Sequence, residues 1–179
     1  MTTMKTAAIL ALAMLMAVSA FSQSEQTKQG KPTKQAIPQF DGTWVLIREK
    51  SSGLTGALGN AEIRLVVTQD AKQLTAEQKI IIRDREQPSQ ELVYKLDGSE
   101  NEVEVSRPMA GTMKLKARWL ESAKSLELVS SISGESDGKE VTITTQEQWQ
   151  LIGGNTLRIV RNRKSPQGLQ TFRLVFQKQ

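Results

Sequence analysis

The chain has 179 residues, 24 of them lysine or arginine against 19 aspartates and glutamates, for a formal charge of +5. It has no cysteine and no histidine. Those absences exclude disulfide scaffolds, thiolate clusters, covalent c-type haem and Ser-His-Asp or Cys-His nucleophilic sites, and they remove the commonest transition-metal ligand.

Lys5 is the only charge ahead of an apolar run, Ala7 to Val18, and small residues follow at Val18-Ser19-Ala20 and Ala20-Phe21-Ser22. A short positive start, a short apolar middle and a small-residue cleavage site read as a secretory signal peptide over residues 1–22. The run is too short to span a bilayer, which takes about 20 apolar residues. No later stretch replaces it, so no stable membrane span is expected once the signal is removed. An exported chain without disulfides fits the bacterial periplasm or exterior, so the expected location is secreted or periplasmic. Residues 23–39 are polar and cannot bury enough surface to order themselves, so they read as a flexible linker.

From Phe40 onward apolar and polar residues alternate in rows that restart about every ten residues, the period of strands with one wet and one buried face. Ten strands are predicted: 42–50, 61–69, 73–83, 91–96, 100–105, 112–120, 125–133, 140–151, 156–163 and 170–177. Asp97-Gly98 predicts a two-residue hairpin between the fourth and fifth, since both central positions of such a turn take positive φ. Gly153-Gly154-Asn155 and Pro166-Gln167-Gly168 predict the last two turns. Connections this short make sequence neighbours spatial neighbours, hence an up-and-down meander. Closing it removes two exposed edges. The expected fold is therefore all-β, a single antiparallel up-and-down barrel of about eight to ten strands over residues 40–179.

The one longer connection, Ser51 to Asn60, carries Gly53, Gly56 and Gly59 with Leu54 and Leu58 between them. It reads either as a lid over the barrel or as a plain surface loop. Nucleic-acid binding is not expected: the cations are interspersed with carboxylates, and three Trp, four Phe and one Tyr form no basic-aromatic stripe. The acidic clusters Asp84-Arg85-Glu86 and Glu135-Ser136-Asp137 lie at predicted turns without the spacing of a calcium loop, so no metal and no cofactor are expected.

The inward rows place Trp44, Tyr94, Trp119 and Trp149 with the aliphatic core. They also carry three large polar residues: Gln78 between Ala76 and Ile80, Glu147 between Thr145 and Trp149, and Arg161 after Leu157 and Ile159. If the Gly153-Gly154-Asn155 turn sets register, Glu147 faces Arg161. Two readings stand open for this pair. It holds a ligand's polar head, with Arg161 reaching a carboxylate, or the two charges satisfy each other at an open, hydrated barrel end. Tyr94, Trp119, Glu147 and Arg161 are the candidate ligand-binding residues.

Gly42-Thr43-Trp44 at the start of the first strand resembles the Gly-x-Trp of lipocalins and their calycin relatives. The chain from Gly42 onward is also similar to small exported bacterial proteins described as lipocalin-like, through Leu46, Lys50-Ser51, Tyr94 to Gly98, Glu147 to Leu151, Thr156-Leu157 and Val175 to Lys178. It departs from the wider family in having no Thr-Asp-Tyr motif and no Arg-x-Tyr carboxylate clamp, so no binding residue transfers by motif. The resemblance implies a calycin-type barrel that binds a small apolar or amphiphilic molecule inside. A second reading is an envelope-accessory or protein-interaction module whose interior its own side chains fill. An enzyme working through carboxylates ranks last, and no catalytic residue is assigned.

Overall fold

The computed structural model describes residues 37–107, 109–120, 124–136 and 138–179. The predicted signal peptide, the predicted linker up to residue 36 and Asp137 of the second acidic cluster lie outside the described residues.

The alternating rows form strands in chain order: β1 Gly42–Leu46, β2 Glu62–Gln69, β3 Gln73–Ile82, β4 Arg85–Glu86, β5 Glu91–Lys95 and β6 Asn101–Val105. Then come β7 Gly111–Trp119, β8 Ser125–Ser136, β9 Lys139–Ile152, β10 Thr156–Ser165 and β11 Gly168–Lys178. Every pairing is antiparallel, in the order β4-β3-β2-β1-β11-β10-β9-β8-β7-β6, with β5 also on β3. The first and last strands meet, Leu46 opposite Phe176, so the two ends of the meander join in mid-sheet. One internal cavity touches side chains from β2, β3, β5 and β7 to β11, which requires the sheet to be rolled on itself. The fold is an all-β antiparallel up-and-down barrel.

Among the described residues eleven strands stand where ten were expected. Arg83 and Asp84 both take positive φ, 49° and 59°, and close a two-residue hairpin that returns Arg85 opposite Ile82. The N–H of Gln87 still donates to the carbonyl of Ile80 at 2.8 Å, but Pro88 has no N–H to give a ladder, so pairing along β3 lapses there and resumes as β5. The first predicted strand stops early as well. β1 ends at Leu46, and a 3-10 turn, Arg48–Lys50, follows.

The predicted hairpin across Asp97-Gly98 does not form a ladder. The Asp97 carboxylate accepts from the N–H of Ser99 at 2.8 Å, and the N–H of Leu96 goes to the carbonyl of Lys72 at 2.7 Å. The turn is thereby tied to its own residues and to the β2–β3 corner. β5 and β6 are left to face each other across a seam bridged by side chains: Asn101 Nδ2 to Val93 O at 2.9 Å, and Gln90 Nε2 to Glu104 O at 3.2 Å.

Trp44 is fully buried, and its indole N–H donates to the carbonyl of Phe40 at 2.8 Å. Phe40 stacks on Trp119 with ring centroids 6.2 Å apart and meets Trp149 edge-on at 5.6 Å. Gln69 ties this entry segment down, accepting from Phe40 N at 3.0 Å and donating to Pro38 O at 3.1 Å. Full burial of side chains this size stabilises by roughly 1.5–3 kcal/mol each.

Candidate functional site: a polar crossbar between two chambers

The interior is not filled. One chamber of about 310 Å³ is walled by Leu54, Leu58, Ile63, Met113, Ile132, Ile143, Phe172 and Leu174 among others. A second, of about 430 Å³, is walled by Leu65, Ala76, Leu128 and Trp149 and reaches Pro88, Ser89, Gln90 and Ser106 near the β5–β6 seam. Volumes in this range suit a small organic ligand. Gln78, Ile80, Leu92, Tyr94, Glu147 and Arg161 line both chambers. They form the layer where the two meet.

The register that builds this layer is the one the turn length predicts. Leu157 lies opposite Leu151, Ile159 opposite Trp149 and Arg161 opposite Glu147. The guanidinium Nε of Arg161 donates to Glu147 Oε1 at 2.5 Å, and the indole N–H of Trp149 donates to Glu147 Oε2 at 2.6 Å. Arg161 then crosses the interior: its Nη2 donates to Gln78 Oε1 on β3 at 2.7 Å. The side chains of Glu147 and Arg161 are 13% and 22% exposed. The pair therefore lies, mostly covered, in the layer between the chambers. Its charges satisfy each other, as the second reading of the sequence has it.

Tyr94 completes the layer. Burial pushes its phenol well above the ordinary tyrosine range, and the neighbouring Glu147 carboxylate pushes it further; Arg161 and the Ser130 hydroxyl work the other way. The hydroxyl stays protonated and is a donor throughout the physiological range.

Of the four candidate residues, Tyr94, Glu147 and Arg161 come together in the layer. Trp119 does not: it lines neither chamber. It is spent on Phe40, because the chain entering β1 folds back over it, a tertiary contact that alternation cannot show. Gln78, legible as a polar residue on an inward row, joins the site. Arg163, the next alternate residue after Arg161, also lines the first chamber. Extending the Leu157-Ile159-Arg161 row by one step finds it.

The 51–60 loop stands over the first chamber, into which Leu54 and Leu58 project. It is fastened at both ends. Ser52 and Arg173 exchange backbone hydrogen bonds of 2.7 and 3.0 Å. Arg48 donates to the carbonyls of Leu58, Gly59 and Ala61. Gly53, at φ 90°, lies so close to β11 that a Cβ would come within 2.5 Å of the Thr171 carbonyl, so no other residue lets the loop seat there. Asp84 and Glu86 of the first acidic cluster are exposed. Among the described residues no group of three or more His, Cys, Asp or Glu is placed to hold a metal ion, and no helix is long and apolar enough to cross a membrane.

No protein-family model matches this chain, and no curated protein matches it. Among solved structures it is similar to zebrafish ileal bile acid-binding protein, crystallised with cholic acid. That likeness has 13% sequence identity and a TM-score of 0.49, and covers 78% of this chain and 98% of that one.

Proposed function

We propose that this protein is an exported, lipocalin-like carrier that binds a small apolar or amphiphilic molecule inside its barrel and performs no chemistry on it. The observation that carries the reading is the unfilled interior: two apolar-walled chambers meeting at a layer of convergent polar groups, the usual make-up of a small-molecule site. A barrel meant only as a scaffold gains by packing such space, because unfilled volume forfeits contact energy. The lack of histidine and cysteine supports a binder over an enzyme. Export rests on the signal-like segment at residues 1–22.

The test is uptake of the neutral dye Nile Red, followed by its fluorescence, together with native mass spectrometry of protein extracted gently from its source. Saturable uptake is expected. Uptake should be lost when the chambers are filled by Ile143→Trp together with Ala76→Phe. No uptake by the folded wild-type protein, with no co-purifying molecule, turns the assignment to the interaction-module reading.

A further inference from the structure

The crossbar specifies what kind of group the ligand presents to it. Arg161 is the cation of the layer, and its charge is met by Glu147 at 2.5 Å. An anionic head brought to Arg161 would therefore meet the Glu147 carboxylate in a mostly covered setting, where like charges repel more than they do in open water. The layer is polar but electrically balanced.

The nitrogen groups it leaves over, on Arg161 and Gln78, can only donate. Arg161 has five N–H bonds, of which Glu147 and Gln78 take one each. Gln78 uses its carbonyl oxygen toward Arg161, which leaves its amide N–H groups to turn elsewhere. The phenol of Tyr94 and the hydroxyls of Ser130 and Thr145, each able to donate or accept, line the same space, with Ser130 already meeting Tyr94. Both Glu147 oxygens already accept a bond. A site of this kind asks for an acceptor oxygen that carries no charge.

Its position matters as much. The Arg161–Gln78 bond joins opposite walls, with an apolar chamber on each side. A ligand with a polar end group would fill one chamber and leave the other. A ligand with its oxygen partway along fills both and brings that oxygen to the crossbar. Among the described residues two other cations touch the cavities: Arg163 faces only the first and Arg107 only the second. Arg107 is exposed and Arg163 half-buried. Arg107, open to water, adds little to binding an anion; Arg163, half-buried, lies one step beyond the crossbar and would meet an anion only in the first chamber.

We propose that the ligand is an uncharged amphiphile whose ketone, ester, ether or hydroxyl oxygen lies between two apolar arms and docks on the Gln78–Arg161–Glu147 crossbar, one arm in each chamber. This rests on the reading of the barrel as a ligand carrier and narrows it to a chemical class. It also sets aside the sequence-level idea that Arg161 reaches a carboxylate.

Three twelve-carbon probes test it by displacement of Nile Red at neutral pH: dodecan-6-one, dodecan-1-ol and dodecanoate. The ketone is expected to displace the dye about tenfold or more below the concentration needed for dodecanoate, and below that for the alcohol, the worth of one hydrogen bond to a charged donor. Glu147→Gln leaves Arg161 without its counter-charge and should shift preference toward dodecanoate by about tenfold, the effect of one buried charge interaction. Gln78→Leu should erase the ketone's advantage over the alcohol. The wild-type comparison stands alone if either variant fails to fold. Dodecanoate binding as tightly as the ketone overturns this proposal and leaves the carrier reading intact. A folded protein that takes up neither the dye nor any probe overturns both.

Discussion

Arg161 on β10 reaches Gln78 on β3, 83 positions away in the chain, with 2.7 Å between Nη2 and Oε1. The strands of these two residues are separated in the sheet by β2, β1 and β11. The bond therefore spans the barrel's interior and is not a neighbour contact along its wall. It turns the Glu147–Arg161 pair from a local cross-strand contact into the partition between two chambers.

The pair should behave as a unit. Arg161→Met strands the Glu147 carboxylate in a mostly enclosed site, and the loss should be on the order of 3 kcal/mol, read from urea denaturation midpoints. Adding Glu147→Gln to it removes the stranded charge and should recover most of that loss, to within about 1 kcal/mol of wild type. Equal destabilisation of the single and double variants would show that the charges are not energetically linked.

Trp44 is held by packing and by its bond to the Phe40 carbonyl. Trp44→Ala should cost about 3–5 kcal/mol through the cavity it leaves. Trp44→Phe keeps most of the volume but orphans that carbonyl, so it should cost about 1–3 kcal/mol. Thermal or urea unfolding separates the two.

Arg48 fastens the loop without belonging to the barrel wall. Its guanidinium bonds three carbonyls, those of Leu58, Gly59 and Ala61. Arg48→Ala should leave global stability nearly unchanged and raise amide hydrogen exchange across residues 54–60 by about tenfold or more, since a hydrogen bond to a charged donor is worth about 1.5–3 kcal/mol. Nile Red should then leave the barrel faster. Unchanged exchange would mean that the Ser52–Arg173 bridge alone holds the loop.

The acid limb of stability is set by carboxylates. Glu127, with its side chain 10% exposed, is held below the ordinary glutamate value, first by the hydrogen bond from Arg118 and also by that from Gln146; partial burial opposes them. Asp70 is lowered by the N–H groups of Lys72 and Gln73, and Asp97 by Ser99. A depressed folded-state value stabilises the fold above the unfolded carboxylate pKa, about 4.3 for glutamate. That contribution is lost as pH falls through the folded value. Stability should thus be level from about pH 5 through neutral pH and decline below about pH 4. Glu127→Gln should be less stable than wild type at pH 7, and the difference should shrink as pH falls through the acid limb. A constant difference down to the acid transition would show that Arg118 does not hold the charged form.

The alternating rows determined the all-β class, the meander and the register that sets Arg161 against Glu147, because a period of two and a three-residue turn are local properties of backbone geometry. Gln78 and Arg163 were equally open to view, as polar residues on inward rows. What lay beyond reach was everything set by parts of the chain far apart in sequence. The seam at β5 and β6 exists because Leu96 is drawn to Lys72 and not across its own turn. Trp119 left the site because Phe40 came to stack on it. The enclosure of the charge pair, its reach to Gln78 and the division of the interior into two spaces follow from how the sheet rolls. Rolling is decided by the sum of many weak side-chain contacts, and no single stretch of sequence encodes it.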